Sequence, residues 1–169
     1  LSKTNEICFD TETTSKNAHT ARLVGISFSV KYHTAYYIPV SKKIEPYVKN
    51  ALKQLFADVN KIWISHNSKY DAVIMQRHGM PIHGELFCTM LANYVLHPGT
   101  VNKMDELAKM HLNYEPIPIT NLIGLKTGIK TMDKVPVKQV AEYSCEDADI
   151  TLQLKDKLFA TIEKRELNT

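Results

Sequence analysis

Cysteine is scarce in this chain. Cys8, Cys88 and Cys145 are odd in number, far apart and without a C-x-x-C pairing, which argues against both a disulfide framework and a zinc site built on cysteine. A reducing cytoplasm is the expected setting. Long apolar runs are missing too: the most apolar segment, Leu86 to Leu96, is broken by Asn93 and is too short to cross a bilayer. No signal-peptide pattern opens the chain, so no membrane association is expected. There are no repeats or low-complexity tracts, no H-E-x-x-H and no Ser-His-Asp signature, and the 7 histidines are scattered. GLKTGIKT has a superficial likeness to a phosphate-binding loop. Gly124 and Gly128 are too close together, however, and Ile129 precedes the lysine, which excludes a nucleoside triphosphatase of that type. Charge of one sign is only slightly in excess, with net charge +3 and a pI near 8.7, permitting a polyanionic partner without demanding one.

What is present is an ordinary globular composition. With 44% hydrophobic and 23% charged residues, neither disorder nor a membrane protein is indicated. The length of 169 residues suits one domain with a sizeable core and is short for two, so a single domain over 1–169 is expected. Leu1 in place of Met points to a fragment of a longer polypeptide.

Glu6 to Phe9 is short and strand-like, and Leu23 to Val30 with Ala35 to Val40 reads as a hairpin around Lys31 to Thr34. Glu45 to Ala57 carries Val48, Leu52, Leu55 and Phe56 at helical spacing, and Lys61 to Ser65 returns to strand character. Ser68 is placed to cap a helix running to His78, with Gly79 and Pro81 as stop signals. Short helices are expected near Thr89 to Leu96 and Met104 to Leu112. Tyr114 to Val135 has no sustained period and is long for a loop, a class that is often functional. Pro136 suits the first turn of a long last helix, in which Val140, Ala141, Cys145, Ala148, Leu152, Phe159 and Ile162 recur on one side. A hairpin-led sheet flanked by helices is an α/β fold.

The chemistry begins at CFDTETTS. Side chains alternate along a strand, so Asp10 and Glu12 project from one face, roughly 6.6 Å apart. At an effective dielectric of about 20 two unit charges at that distance repel by roughly 2.5 kcal/mol. Solvated acids at a strand end tolerate this, and an isolated D-x-E is most simply read that way. Partly buried acids need a raised pKa or a cation between them, and hard oxygen ligands suit Mg²⁺ or Mn²⁺. Asp71, in the first turn after the strand Lys61 to Ser65, is favoured by the helix dipole and is equally explained as a capping acid. Tyr143 and Asp147 stand four apart on a helix face that Ile150 and Leu154 continue, where a hydrogen-bonded core-edge pair is the simpler account.

Taken together, FDTET, HNSKYD and EYSCEDADITLQL resemble, in order and spacing, the three motifs of the DEDDy 3′-5′ proofreading exonucleases of the ribonuclease H-like superfamily. The similarity is greatest to the exonuclease domain of bacterial family-A DNA polymerases, and LVGISF, AYYIPV, TMLANYVL and MDELA look like its intervening landmarks. It extends over nearly the whole chain. The resemblance implies a mixed central sheet with an N-terminal antiparallel meander, and two divalent ions, Mg²⁺ or Mn²⁺ with Zn²⁺ possible in one site. Asp10, Glu12, Asp71 and Asp147 would hold them, and Tyr143 would orient the attacking water. It further implies that Thr13, His66, Asn67, Tyr70 and Met104 line a pocket for a single-stranded DNA 3′ end. The polymerase domain of the same parent chain is the implied partner, and a monomer in the bacterial cytoplasm, at the nucleoid, is the implied setting.

Departures from that pattern concern substrate contacts. Lys16 stands where the family commonly has an apolar wedge, and a lysine there could meet phosphate instead. Cys88 replaces a common Asp, and Val101 and Asn102 replace an Arg-His pair. Lys126, Lys130, Lys134 and Lys138 recur every fourth residue but read first as a solvated loop and only second as a DNA guide. An RNA-trimming exonuclease of the ribonuclease D type shares the same acids, and a non-catalytic DNA-binding or structural module shares the fold.

Overall fold

The computed structural model describes residues 1, 3–40 and 46–167. Five strands, β1 (Glu6–Thr13), β2 (Leu23–Lys31), β3 (Thr34–Pro39), β4 (Ile62–Ser65) and β5 (Glu85–Cys88), form one sheet in the order β3-β2-β1-β4-β5. β1 pairs antiparallel with β2, β2 antiparallel with β3, and β4 parallel with both β1 and β5. The sheet is therefore mixed, with the antiparallel meander at its N-terminal side as expected. β1 runs four residues past the expected Phe9, straight through both acids. β5 escaped the sequence reading because its four residues run directly into a helix.

The helices are α1 (Pro46–Phe56), α2 (Ser68–Arg77), α3 (Thr89–Leu96), α4 (Met104–Leu112) and α5 (Val137–Lys164). The expected start of the first helix at Glu45 lies outside the described residues. Ser68 does not cap α2. Asn67 precedes the helix in a left-handed conformation, φ 62°, with no side-chain cap bond, and Ser68 sits in the first turn, its hydroxyl accepting a bond from Ser65 Oγ at 2.6 Å. Pro136 likewise stands just before α5, where its missing N–H costs nothing. The segment expected as an unbroken loop over 114–135 holds two 3₁₀ turns, Ile119–Asn121 and Met132–Lys134.

Alternation along β1 divides the core. Ile7 and Phe9 face α1 and α2, where Phe56 and Trp63 stack with centroids 4.2 Å apart and Phe9 meets each edge-on at 5.4 and 5.7 Å. Truncating such a ring costs about 3–5 kcal/mol. On the other face Cys8, Ile64 and Leu152 join sheet to α5, whose Ile150, Leu154 and Leu158 pack on Ala92, Leu96, Leu107 and Ala108 of α3 and α4. α5 thus carries a buried stripe from Val140 to Leu158 and lies across β1, β2, β3 and β4. Among the described residues no helix is long and apolar enough to cross a membrane.

Candidate active site

β1 outruns its parallel neighbour. It pairs with β4 only from Glu6 to Cys8 but with β2 as far as Thr13. Past Cys8 the β4 side is open, because the chain leaves β4 at Ser65 and turns through His66 and Asn67 into α2. Crevices of this kind, outside the carboxyl ends of parallel strands, are where α/β sheets bind ligands. Asp10 and Glu12 share the α5-facing side of β1 with Cys8. α5 brings Tyr143, Ser144 and Asp147 over them, and Ser27 Oγ on β2 donates to the Ser144 carbonyl at 2.7 Å, which fixes the helix against the sheet at that height. One carboxylate oxygen from each of Asp10, Glu12 and Asp147 falls within 4.8 Å of the others. Asp71 enters from the other layer. Its Oδ1 accepts a bond from Thr11 Oγ1 at 2.5 Å, Thr11 pointing away from its two acidic neighbours.

The acids are short of positive charge. Glu12, Asp71 and Asp147 are buried and Asp10 is half-buried, and among the described residues none of the four forms a salt bridge. Glu12 Oε1 and Asp147 Oδ1 are buried without any hydrogen-bond partner, an expensive state for an anion. Burial pushes the Asp10 carboxyl from 3.8 up to about 6, against the opposing pull of the Thr11 amide and the Ser144 hydroxyl. Ser144 Oγ faces the carboxyls without completing a bond of normal geometry. Glu12 is raised by burial and then by the charge of Asp10. Asp71 is raised by the same two causes in the same order, partly offset by Thr11. Asp147 is raised by burial, then by Asp10 and Glu12. Tyr143 rises far above the usual phenol range through burial and the charges of Asp147, Glu12 and Asp10, so its hydroxyl keeps its proton and serves as a donor. A set of hard oxygens with orphaned lone pairs and, among the described residues, no salt-bridge partner fits a divalent cation.

These groups line a cleft of about 520 Å³. Thr13, His66, Asn67 and Tyr70 lie on its wall with the four acids and Tyr143, whereas Met104 does not; it packs near Leu107 and Leu154, and its sulfur accepts from Thr151 Oγ1 at 3.4 Å. His66 is pegged at both ring nitrogens. Nε2 donates to the Asn102 carbonyl at 3.0 Å, so Nδ1 accepts from Thr89 Oγ1 at 2.9 Å, and burial lowers the ring's pKa. It offers a neutral face to the cleft. Tyr70 OH and Thr13 Oγ1 meet at 2.5 Å, and both hydroxyls also engage the Ser15 carbonyl. This knot leaves the Tyr70 ring to line the wall. Asn67, left-handed and spending no side-chain bond on the helix, is free to face a ligand.

The remaining wall was not legible by residue. Ile119, Ile123, Lys130, Thr131 and Met132 come from the 114–135 segment, and its length and missing period marked it only as a functional class of loop. Arg22 Nη2 pairs with Asp133 at 3.2 Å, joining this wall to the connection between β1 and β2.

A family model described as 3′-5′ exonuclease matches residues 1–163. DNA polymerase I of Pseudomonas aeruginosa is 34% identical over 96% of the chain and 19% of its own length, and DNA polymerase I of Borreliella burgdorferi is 34% identical over 91% of the chain and 17% of its own length. The chain thus spans under a fifth of these relatives. Among solved structures, Brucella melitensis NrnC with bound Mg²⁺ superposes with a TM-score of 0.75 at 24% identity, covering 98% of this chain and 77% of that one. That likeness is one of fold.

Proposed function

Because the chain belongs to the 3′-5′ exonuclease family, we propose that it is a metal-dependent 3′-5′ DNA exonuclease domain of a family-A DNA polymerase. It hydrolyses the last phosphodiester of single-stranded or frayed DNA 3′ ends and releases nucleoside 5′-monophosphates. The carrying observation is the convergence of Asp10, Glu12 and Asp147 oxygens within 4.8 Å, with two of the buried oxygens left unpartnered. Asp10, Glu12 and Asp147 would hold one divalent ion, and Asp71, with Asp10 between, a second. Mg²⁺ and Mn²⁺ suit the all-oxygen set, Zn²⁺ being a further candidate for one site. Bound there, such ions neutralise a phosphodiester and lower the pKa of water. Mg²⁺ in the solved NrnC structure supports the reading.

The chain's own groups do the rest. Tyr143, held protonated above Asp147, makes the one hydrogen bond that positions the attacking water. Thr11 fixes the carboxylate plane of Asp71. The neutral face of His66 and the Tyr70 ring give stacking surfaces for unpaired bases, which suits a sequence-tolerant grip on a single strand, and Asn67 supplies amide hydrogen bonds. Thr13 acts through Tyr70 by holding the ring in place. Met104, off the cleft, receives no role. The polymerase domain of the parent chain would deliver the 3′ end, in the bacterial cytoplasm at the nucleoid, to a domain that acts as one monomeric unit.

Degradation of a 5′-labelled single strand in Mg²⁺ or Mn²⁺ tests this. Stepwise shortening from the 3′ end, abolished by chelator and by Asp10→Ala, is the expected result. Inertness at saturating metal would instead assign a binding or structural module. A strong rate preference for a matched RNA oligonucleotide would move the domain to RNA trimming.

A further inference from the structure

The floor of the cleft is anionic, yet each of two separate walls presents one lysine. Lys16 lies in the connection between β1 and β2, and Lys130 in the 114–135 segment; both are exposed and both line the cleft. Among the described residues neither takes part in an ion pair, whereas Arg22 and Lys134 on the same two connections both reach Asp133, at 3.2 and 3.7 Å. The periodic lysines of the sequence therefore separate into different environments, and of the set at 126, 130, 134 and 138 only Lys130 reaches the site.

Both lysines rise from braced backbone. The Ser15 carbonyl, next to Lys16, is gripped by the Thr13 and Tyr70 hydroxyls. The Ile129 carbonyl, next to Lys130, accepts the Gly124 N–H at 2.8 Å. The Arg22–Asp133 pair links the two walls. An exposed ammonium without a carboxylate partner beside an acid-lined cleft is suited to a ligand that is itself anionic beyond the reacting group.

We propose that Lys16 and Lys130 together grip the non-reacting phosphodiester on the 5′ side of the scissile one. The inference deepens, and rests on, the exonuclease reading. The four acids at the floor claim the reacting phosphate. The next phosphate along the strand leaves the floor between the two walls and meets Lys16 and Lys130, the only lysines that line the cleft among the described residues. A dinucleotide has no such second linkage unless it is 5′-phosphorylated, so the grip also sets the shortest substrate that is held well: one with two consecutive phosphates at its 3′ end.

Steady-state cleavage of single-stranded DNA by the whole chain separates the possibilities. Lys16→Met and Lys130→Met are each expected to raise KM about fivefold, as befits exposed ionic contacts, with kcat within about twofold. The slope of log(kcat/KM) against log[salt] should become shallower by about 0.7 for the shared phosphate. Lys16→Arg and Lys130→Arg should restore KM, and Lys126→Met, off the cleft, should change nothing. A neutral methylphosphonate at the linkage next to the scissile one should cost the wild type about 25-fold in KM, the product of the two single losses, and the double Met variant nothing. Fluorescence anisotropy of the same oligonucleotide in Ca²⁺ reads the grip even where no cleavage occurs. Equal affinities of wild type and double variant, or an unchanged salt slope, overturn the grip while leaving the exonuclease reading intact. A wild type that binds through both lysines without cleaving overturns the exonuclease reading instead.

Discussion

Asp147→Asn should make the metal-free domain more stable while removing its cleavage. Oxygens of Asp10, Glu12 and Asp147 lie within 4.8 Å, and at an effective dielectric of 20 two charges at that distance repel by about 3.5 kcal/mol. The cluster relieves the repulsion by keeping protons. Burial adds to the repulsion: the Asp10 carboxyl, pushed from 3.8 up to about 6, is ionised at pH 7.5 at a cost to the folded state of roughly 3 kcal/mol. Asparagine at 147 removes one charge facing both neighbours, keeps the side-chain shape, and leaves an acceptor for Tyr143. The expected gain is therefore about 2 kcal/mol, or 4–8 °C in Tm for a domain of this size, read by thermal denaturation in EDTA at pH 7.5. Mg²⁺ reverses the order, because wild type gains binding free energy that the variant has lost. A variant that melts below wild type in EDTA, or that keeps its full advantage in saturating Mg²⁺, would refute the claim that the carboxylates are mutually repelling and await a cation.

The same acids set the pH dependence of metal-free stability. Their folded pKa values are raised above the unfolded ones, so the folded state holds more protons. Their contribution is fully present below about pH 4 and is lost as pH rises through about 6 and beyond. In EDTA, Tm should fall between pH 5 and pH 8, and Mg²⁺ should flatten that fall; a Tm that rises with pH over this range would contradict it. Gly25→Ala tests a close approach in β2. A Cβ there would stand 1.9 Å from Tyr37 Oη and 2.1 Å from its Cζ, so the ring must shift from its packing against the cluster of Leu122, Met132, Val135 and Val140, at a cost of about 1–3 kcal/mol. Chemical denaturation should show it, and the ordinary entropic gain of replacing glycine by alanine would instead appear if the site were open.

The floor of the site was readable from residue order because local rules place it. Strand alternation puts Asp10 and Glu12 on one face, and the i, i+4 relation puts Tyr143 and Asp147 on another, whatever the rest of the chain does. Element ends were less legible. β1 continues past Phe9 because Asp10 and Glu12 face a polar cleft, where they do not break the strand as they would in a dry core. β5 was hidden by the helix signal of Thr89 that follows it. At α2, Ser68 has the chemistry of a cap, but the tight exit from β4 demands a left-handed residue, and Asn67 supplies it. Ile119, Ile123 and Met132 could not be assigned to the wall, since their position depends on long-range packing of an aperiodic segment. His66, a plausible ligand contact by residue type, has both nitrogens already engaged.

β1 is the middle strand of five, so its acids ride on the part of the sheet that opens last, while the surrounding rim comes from connections that share little of the buried interior. Substitutions at the rim can accumulate, and a new repertoire of 3′ ends can be acquired, without retuning the reacting centre. Evolution and protein engineers alike can therefore change what enters this cleft separately from what happens at its base.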